Sequence, residues 1–141
     1  MTWRAIGRIV IGLTYVAVSI STASLKAQSA SNRLSGAVDA QGVRHGGSDY
    51  PGRGPWMNDV IKTVQPDYPY AERAAHREGW GLFRIAIDLN TGSVNKVTVL
   101  KSTGIPAFDR SAIDAFRRWR WKPGKWKEVD APIVFTLSPT R

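Results

Sequence analysis

Between residues 82 and 89 the chain reads LFRIAIDL, and the alternation of Phe83, Ile85, Ile87 and Leu89 with Leu82, Arg84, Ala86 and Asp88 is its strongest constraint. Period-two alternation of this kind dictates a half-buried strand with its apolar face on the odd residues. Asn90-Thr91-Gly92 follows as a turn signal and leads into a second β-rich run over 94–101. An antiparallel hairpin is therefore predicted. A lone hairpin cannot bury its apolar face and needs a second layer.

That layer is supplied downstream. Over 106–119 a helix places Phe108, Ala112, Ile113, Phe116 and Trp119 on one stripe, while Asp109, Arg110, Asp114, Arg117 and Arg118 face away. Asp109 near the start and the two arginines near the end complement the helix dipole. Over 131–138, Ile133, Phe135 and Leu137 share one face of a final strand. Upstream, 69–78 reads as a short helix: Pro69 suits the first position, Ala71, Ala74 and Ala75 favour the state, and Gly79 ends it. The order α-β-β-α-β predicts an α+β fold, a small two-layer sandwich with a three-stranded antiparallel sheet and both helices on one face. So small a sheet leaves an edge open, and an open edge is a template for an added strand. The same edge leaves room for a homodimer.

Ahead of this domain, placed at 59–141, the composition changes twice. Arg4 and Arg8 precede an uncharged run over 9–20 and a small-residue exit, so 1–27 is expected to be a signal peptide or an inner-membrane anchor. The stretch 28–58, rich in Ser, Gly, Gln and Arg, reads as a flexible linker. Either treatment of 1–27 exports the domain from the cytoplasm, free or tethered.

Catalysis finds little support. The chain has no cysteine, which excludes disulfides, thiol nucleophiles and thiolate metal sites. Its two histidines are His45 in the linker and His76 on the polar side of a short helix, so no metal site, cofactor or enzyme is expected. The net charge of +9 favours polyanions or acidic partners. It concentrates in RRWRWKPGKWK, where Arg117, Arg118, Arg120, Lys122, Lys125 and Lys127 interleave with Trp119, Trp121 and Trp126. Basic residues among flat aromatics can bind single-stranded nucleic acid. Trp119, however, lies on the apolar helix stripe and Trp121 can pack as the chain crosses to the sheet. With an export signal as well, no nucleic-acid partner is expected, and the six cations are candidates for an anionic surface only.

QPDYPYAERA, GWGLFRIAIDLNTGSVNKVTVLKSTG, FDRSAIDAFRRWRWKPG and APIVFTL, in that order and spacing, resemble the C-terminal domain of TonB-type proteins, the energy transducers of Gram-negative envelopes. The resemblance covers 65–137, about half of the chain. It implies capture of a short periplasmic segment of an outer-membrane transporter as an added strand, with force supplied by inner-membrane motor proteins. By that resemblance Gln65, Pro66, Tyr68 and Pro69 form a transporter-contact region, Gln65 being the main polar contact. Strand addition would run along Ile133, Val134, Phe135, Thr136 and Leu137 through backbone groups. A structural role for Tyr68 and Pro69 stands beside the contact role.

Two departures separate the chain from full transducers. Their anchor helix carries a Ser and His pair, whereas residues 1–25 hold no histidine, and their Pro-rich rod has no counterpart beyond Pro51 and Pro55. A soluble envelope domain that binds a protein or the cell wall without transducing energy is the alternative.

Overall fold

The computed structural model describes residues 3–8, 33–50 and 53–139. The uncharged run 9–20 and the small-residue exit after it lie outside the described residues. Among the described residues no helix is long and apolar enough to cross a membrane.

The predicted hairpin forms from β5 (Gly79–Ile87) and β6 (Val94–Lys101). Its turn is built from side chains: Asp88 accepts the Asn90 N–H at 2.7 Å and Thr91 accepts the Ser93 N–H at 3.2 Å. Gly92 sits at φ 73°, and a Cβ there would lie 1.8 Å from the Trp121 carbonyl oxygen. Only glycine fits both the left-handed backbone and the close approach. As the alternation requires, Phe83, Ile85 and Ile87 are buried.

On these strands packs α2 (Pro106–Arg117), after α1 (Tyr70–Ala74). Phe108, Ala112, Ala115 and Phe116 of α2 are buried, and Trp119 continues the stripe. The Phe108 and Phe135 rings stack at 4.3 Å, 3° from parallel. Each such side chain contributes roughly 1.5–3 kcal/mol on leaving water. The earlier helix departs from expectation: it spans only five residues and buries none of them. His76 at φ 53° and the bond from the Arg77 N–H to the Glu72 carbonyl turn the chain well before Gly79. Cover on that side of the sheet comes instead from Tyr68, whose ring meets Phe108 and Phe135 edge-on.

The sheet is larger than the three strands predicted. Its order is β3-β2-β8-β5-β6, with β1 also paired to β8, six strands among the described residues. Here β1 is Trp3–Arg8, β2 Gly36–Asp39, β3 Arg44–Gly46 and β8 Trp126–Pro139. A separate pair joins β4 (Val60–Lys62) to β7 (Arg120–Trp121). Where a flexible linker was expected over 28–58, the described part holds β2, β3 and short 3-10 turns at Gly47–Asp49 and Pro55–Met57. The reason is burial: Ala37, Trp56 and Met57 all join the core. Two indoles then tie the 56–64 strap to the domain, Trp119 donating to the Val64 carbonyl at 2.9 Å and Trp121 to that of Trp56 at 3.1 Å.

Candidate functional site

Strand β8 is the centre of the sheet and the element predicted to accept a partner. Along one edge it pairs with β5, from Ala86↔Glu128 to Gly79↔Phe135. The opposite edge is shared: β2 covers residues 126–130 and β1 covers residues 134–139, both antiparallel. Thus the backbone of Val134, Thr136 and Leu137, expected at an open edge, lies opposite a strand of the same chain. Ile133 and Phe135 are fully buried, while Val134, Thr136 and Leu137 are half-buried.

Which amides face outward follows from one bond. The Leu137 N–H donates at 2.7 Å to the Glu78 carboxylate, on the β5 side. Because N–H directions alternate along a strand, those of Val134, Thr136 and Ser138 point to the other edge. These are the groups that meet Arg8, Ile6 and Arg4 in the observed register.

The first half of that edge is held by charge. Asp130, 5% exposed, accepts from Arg84 Nε at 2.8 Å and also from Arg44 on β3. Glu128 completes the group, 3.0 Å from Arg84 and 3.6 Å from Arg44. The hydrogen bond to Asp130 holds the Arg84 guanidinium even more firmly protonated than usual. Inside the hairpin, His45 bridges the Asp39 carboxylate at 2.8 Å and the Tyr50 hydroxyl at 2.9 Å, its ring edge-on to Trp126. That bond to His45 lowers the Asp39 pKa. None of Arg44, Arg84, Glu128 or Asp130 was singled out from the sequence. Alternation puts Arg84 on the polar face, but it cannot name a partner 46 residues away.

The lead-in residues divide. Gln65 is exposed and Pro66 is buried. The Tyr68 ring packs edge-on against both Phe108 and Phe135, and its hydroxyl donates to the Arg77 carbonyl. Burial, reinforced by Glu78 and Glu72, raises its pKa. Pro69 lines a shallow hollow against α2 with Asp67, Arg110, Ser111, Asp114 and Arg118. Of the four predicted contacts, then, Gln65 presents a free polar side chain, and Tyr68 supports the strand from beneath.

The basic stretch is split between surface and core. Arg117, Arg118, Lys122, Lys125 and Lys127 are exposed, whereas half-buried Arg120 donates to the carbonyls of Trp119 at 2.7 Å and Arg117 at 3.2 Å. Trp119, Trp121 and Trp126 are buried, and the Trp126 N–H reaches Asp59 at 2.8 Å. No aromatic face remains there for a base to stack on. Among the described residues no group of three or more His, Asp or Glu side chains could hold a metal ion.

Comparison with known proteins points one way. The chain is 34% identical over 84 residues to Protein tonB2 of Pseudomonas aeruginosa, covering 55% of this chain and 31% of that protein. To Protein TonB of Vibrio cholerae it is 37% identical over 64 residues, 45% of this chain and 26% of the relative. To Protein TonB of Escherichia coli it is 30% identical over 83 residues, 57% of this chain and 34% of the relative. The chain thus matches about a third or less of the length of these curated relatives. The solution NMR structure of the Pseudomonas aeruginosa TonB CTD aligns at 26% identity and TM-score 0.48, covering 58% of this chain and 87% of that one. Residues 64–137, just over half of the chain, match the family of the Gram-negative bacterial TonB protein C-terminal domain, and the chain belongs to that family.

Proposed function

We propose that this domain is a periplasmic, non-enzymatic binding module in TonB-type transport across the outer membrane, capturing an extended segment of a transporter as a strand on the outer edge of β8. The observation that carries the reading is the pairing of that edge with β1 in regular antiparallel register over residues 134–139. An edge that seats one strand through backbone groups can seat another of unrelated sequence. Gln65, exposed beside the lead-in, is the side chain that would add a polar contact. Membership of the family supports a transporter as the partner.

Residues 1–27 serve in this reading as the export signal or inner-membrane tether. Coupling to inner-membrane motor proteins would require the tethered form. The rival without energy transduction shares every structural feature of the domain and differs only in its partner.

The test is a titration of the full chain with synthetic peptides from the periplasmic N-terminal segments of outer-membrane transporters, followed by backbone NMR. Shifts concentrated at Val134, Thr136 and Ser138, lost in Thr136→Pro but kept in Thr136→Ala, are the expected result. Binding instead to an anionic cell-wall polymer, weakening steeply with salt, would replace this function with the envelope-binding alternative.

A further inference from the structure

Four segments meet at the end of the sheet where β8 begins, and backbone bonds tie them together. The Ala40 amide in the β2–β3 turn donates to the Lys125 carbonyl at 2.9 Å, and the Gly124 amide to that of Leu89 at 2.7 Å. The Trp121 amide donates to the Gly92 carbonyl at 2.9 Å, and the Lys122 amide to that of Asp59, just before β4, at 2.8 Å. The result is a braced base that carries Lys62, Arg120, Lys122, Lys125 and Lys127. The dipole of α2 accounts for Arg117 and Arg118 nearby, but not for these five.

Two features of this base cost the fold rather than support it. Lys62 lies directly opposite Arg120 in the β4–β7 pair, where like charges destabilise a sheet. Among the described residues, only Lys122 of the five forms an ion pair with a carboxylate, Asp59 at 3.6 Å. Asp39 and Asp88, the acidic residues of the neighbouring turns, are already bonded to His45 and to the Asn90 amide. The second feature is Ile61, 63% exposed beside Lys62 at the irregular step of β4, whereas Val60 packs against the core. Opposed cations next to an apolar side chain in water are a poor arrangement for the free domain. They suit a surface that is anionic outside and apolar beneath.

We propose that this base docks on the anionic headgroups of a phospholipid bilayer, its lysines meeting phosphates and Ile61 entering the headgroup boundary. With Trp119, Trp121 and Trp126 buried, those rings offer no face to a sugar or a base, and Ile61 gains only from a partner with an apolar layer. Along β8, Lys127 and Thr136 stand about 30 Å apart at the rise of an extended strand. The bilayer and a captured strand therefore occupy opposite ends of the domain, and the inference is independent of the strand-capture reading.

The experiment co-sediments the full chain, at limiting lipid, with mixed phosphatidylglycerol–phosphatidylcholine vesicles and with pure phosphatidylcholine vesicles. Any hold that residues 1–27 exert is common to every variant, so differences between variants are what count. Lys62→Gln with Lys125→Gln is compared with Lys96→Gln plus Lys101→Gln, which removes the same charge from exposed positions on β6. Lys125→Gln with Lys127→Gln, outside β4, serves as the second variant of the base, and thermal melts check folding. Affinity for the anionic vesicles should fall about tenfold in either variant of the base, less than about twofold in the β6 pair, and should weaken with salt. Ile61→Ser should lower it about threefold while leaving binding of soluble polyphosphate unchanged. In nanodiscs carrying a nitroxide headgroup lipid, amide broadening should centre on Ile61, Lys62, Lys122 and Lys125 and spare Thr136.

Equal losses in the charge-matched variants, or broadening spread evenly over the domain, would overturn the site in favour of diffuse net charge. Polyphosphate binding that needs Lys62 and Lys125, with no contribution from Ile61 on vesicles, replaces the bilayer with a soluble polyanion. A chain that fails on vesicles but binds a transporter peptide loses this surface and keeps strand capture. The reverse result removes strand capture and keeps the surface.

Discussion

The Glu78 carboxylate accepts the Leu137 N–H at 2.7 Å, one residue before β5 begins, so a side chain continues the ladder where the backbone partner has run out. Glu78→Ala should cost about 1 kcal/mol, the ordinary net worth of such a bond, and Glu78→Gln much less. Urea denaturation of the two variants distinguishes them. Exchange at Leu137 should rise in the alanine form while that at Val129 and Ala131 stays unchanged.

Asp130 is buried between two arginines that come from either side of β8. Because Arg44 and Arg84 remain partly solvated, Asp130→Ala is expected to cost about 2 kcal/mol, less than loss of a partner from a fully buried pair. Its distinguishing sign is local: the amides of β2 should exchange faster while those of β6 keep their protection.

Acid sensitivity should centre on Asp109. Burial by itself would raise its pKa, but hydrogen bonds from the Ser102 hydroxyl and from the Thr103 amide and hydroxyl outweigh burial and lower it. A carboxylate depressed in the folded state stabilises above the unfolded pKa of about 3.9, and that contribution disappears as pH falls through the lower folded value. Asp109→Asn should therefore lower Tm at pH 7, with the gap closing below about pH 4. A gap that persists unchanged at the lowest pH would assign the effect to geometry instead of charge.

Gln65 and Tyr68 stand three residues apart with opposite expectations. Gln65 is exposed, so Gln65→Ala should leave stability within about 0.5 kcal/mol while weakening transporter-peptide binding. Tyr68→Ala removes a ring packed on Phe108 and Phe135 and should cost about 3 kcal/mol. Thermal melts paired with peptide titration separate the two roles.

Gly92→Ala tests the turn. With φ at 73° and the Trp121 carbonyl in the way, the variant should lose at least about 2 kcal/mol, from backbone strain plus the displaced Trp121 N–H to Gly92 carbonyl bond. Equilibrium unfolding measures it directly.

The parts legible in the sequence were those with enough residues to show a period. Phe83, Ile85 and Ile87 declare β5, and Phe108, Ala112, Phe116 and Trp119 declare α2. Gly36-Ala37-Val38-Asp39 is too short for any period, and its stability comes from β8 and from Arg44, 86 residues before Asp130. Low hydrophobicity made this stretch read as a linker, although a strand paired on both sides needs little apolar surface of its own. At the site, the exposed Gln65 and the final strand could be named from residue patterns and resemblance. That β1 covers that strand could not, because WRAIGR shows no alternation and register is a property of backbone pairing, invisible in side-chain types.

Trp119, Trp121 and Trp126 all donate to the strap between residues 56 and 64, through bonds of 2.8 to 3.1 Å. Three of the six indoles in the chain therefore report on one contact, whereas Trp80 is already 41% exposed. Intrinsic fluorescence of this protein is in consequence a gauge of strap attachment: lifting residues 56–64 would shift the emission to the red before the sheet itself opens, with no added label.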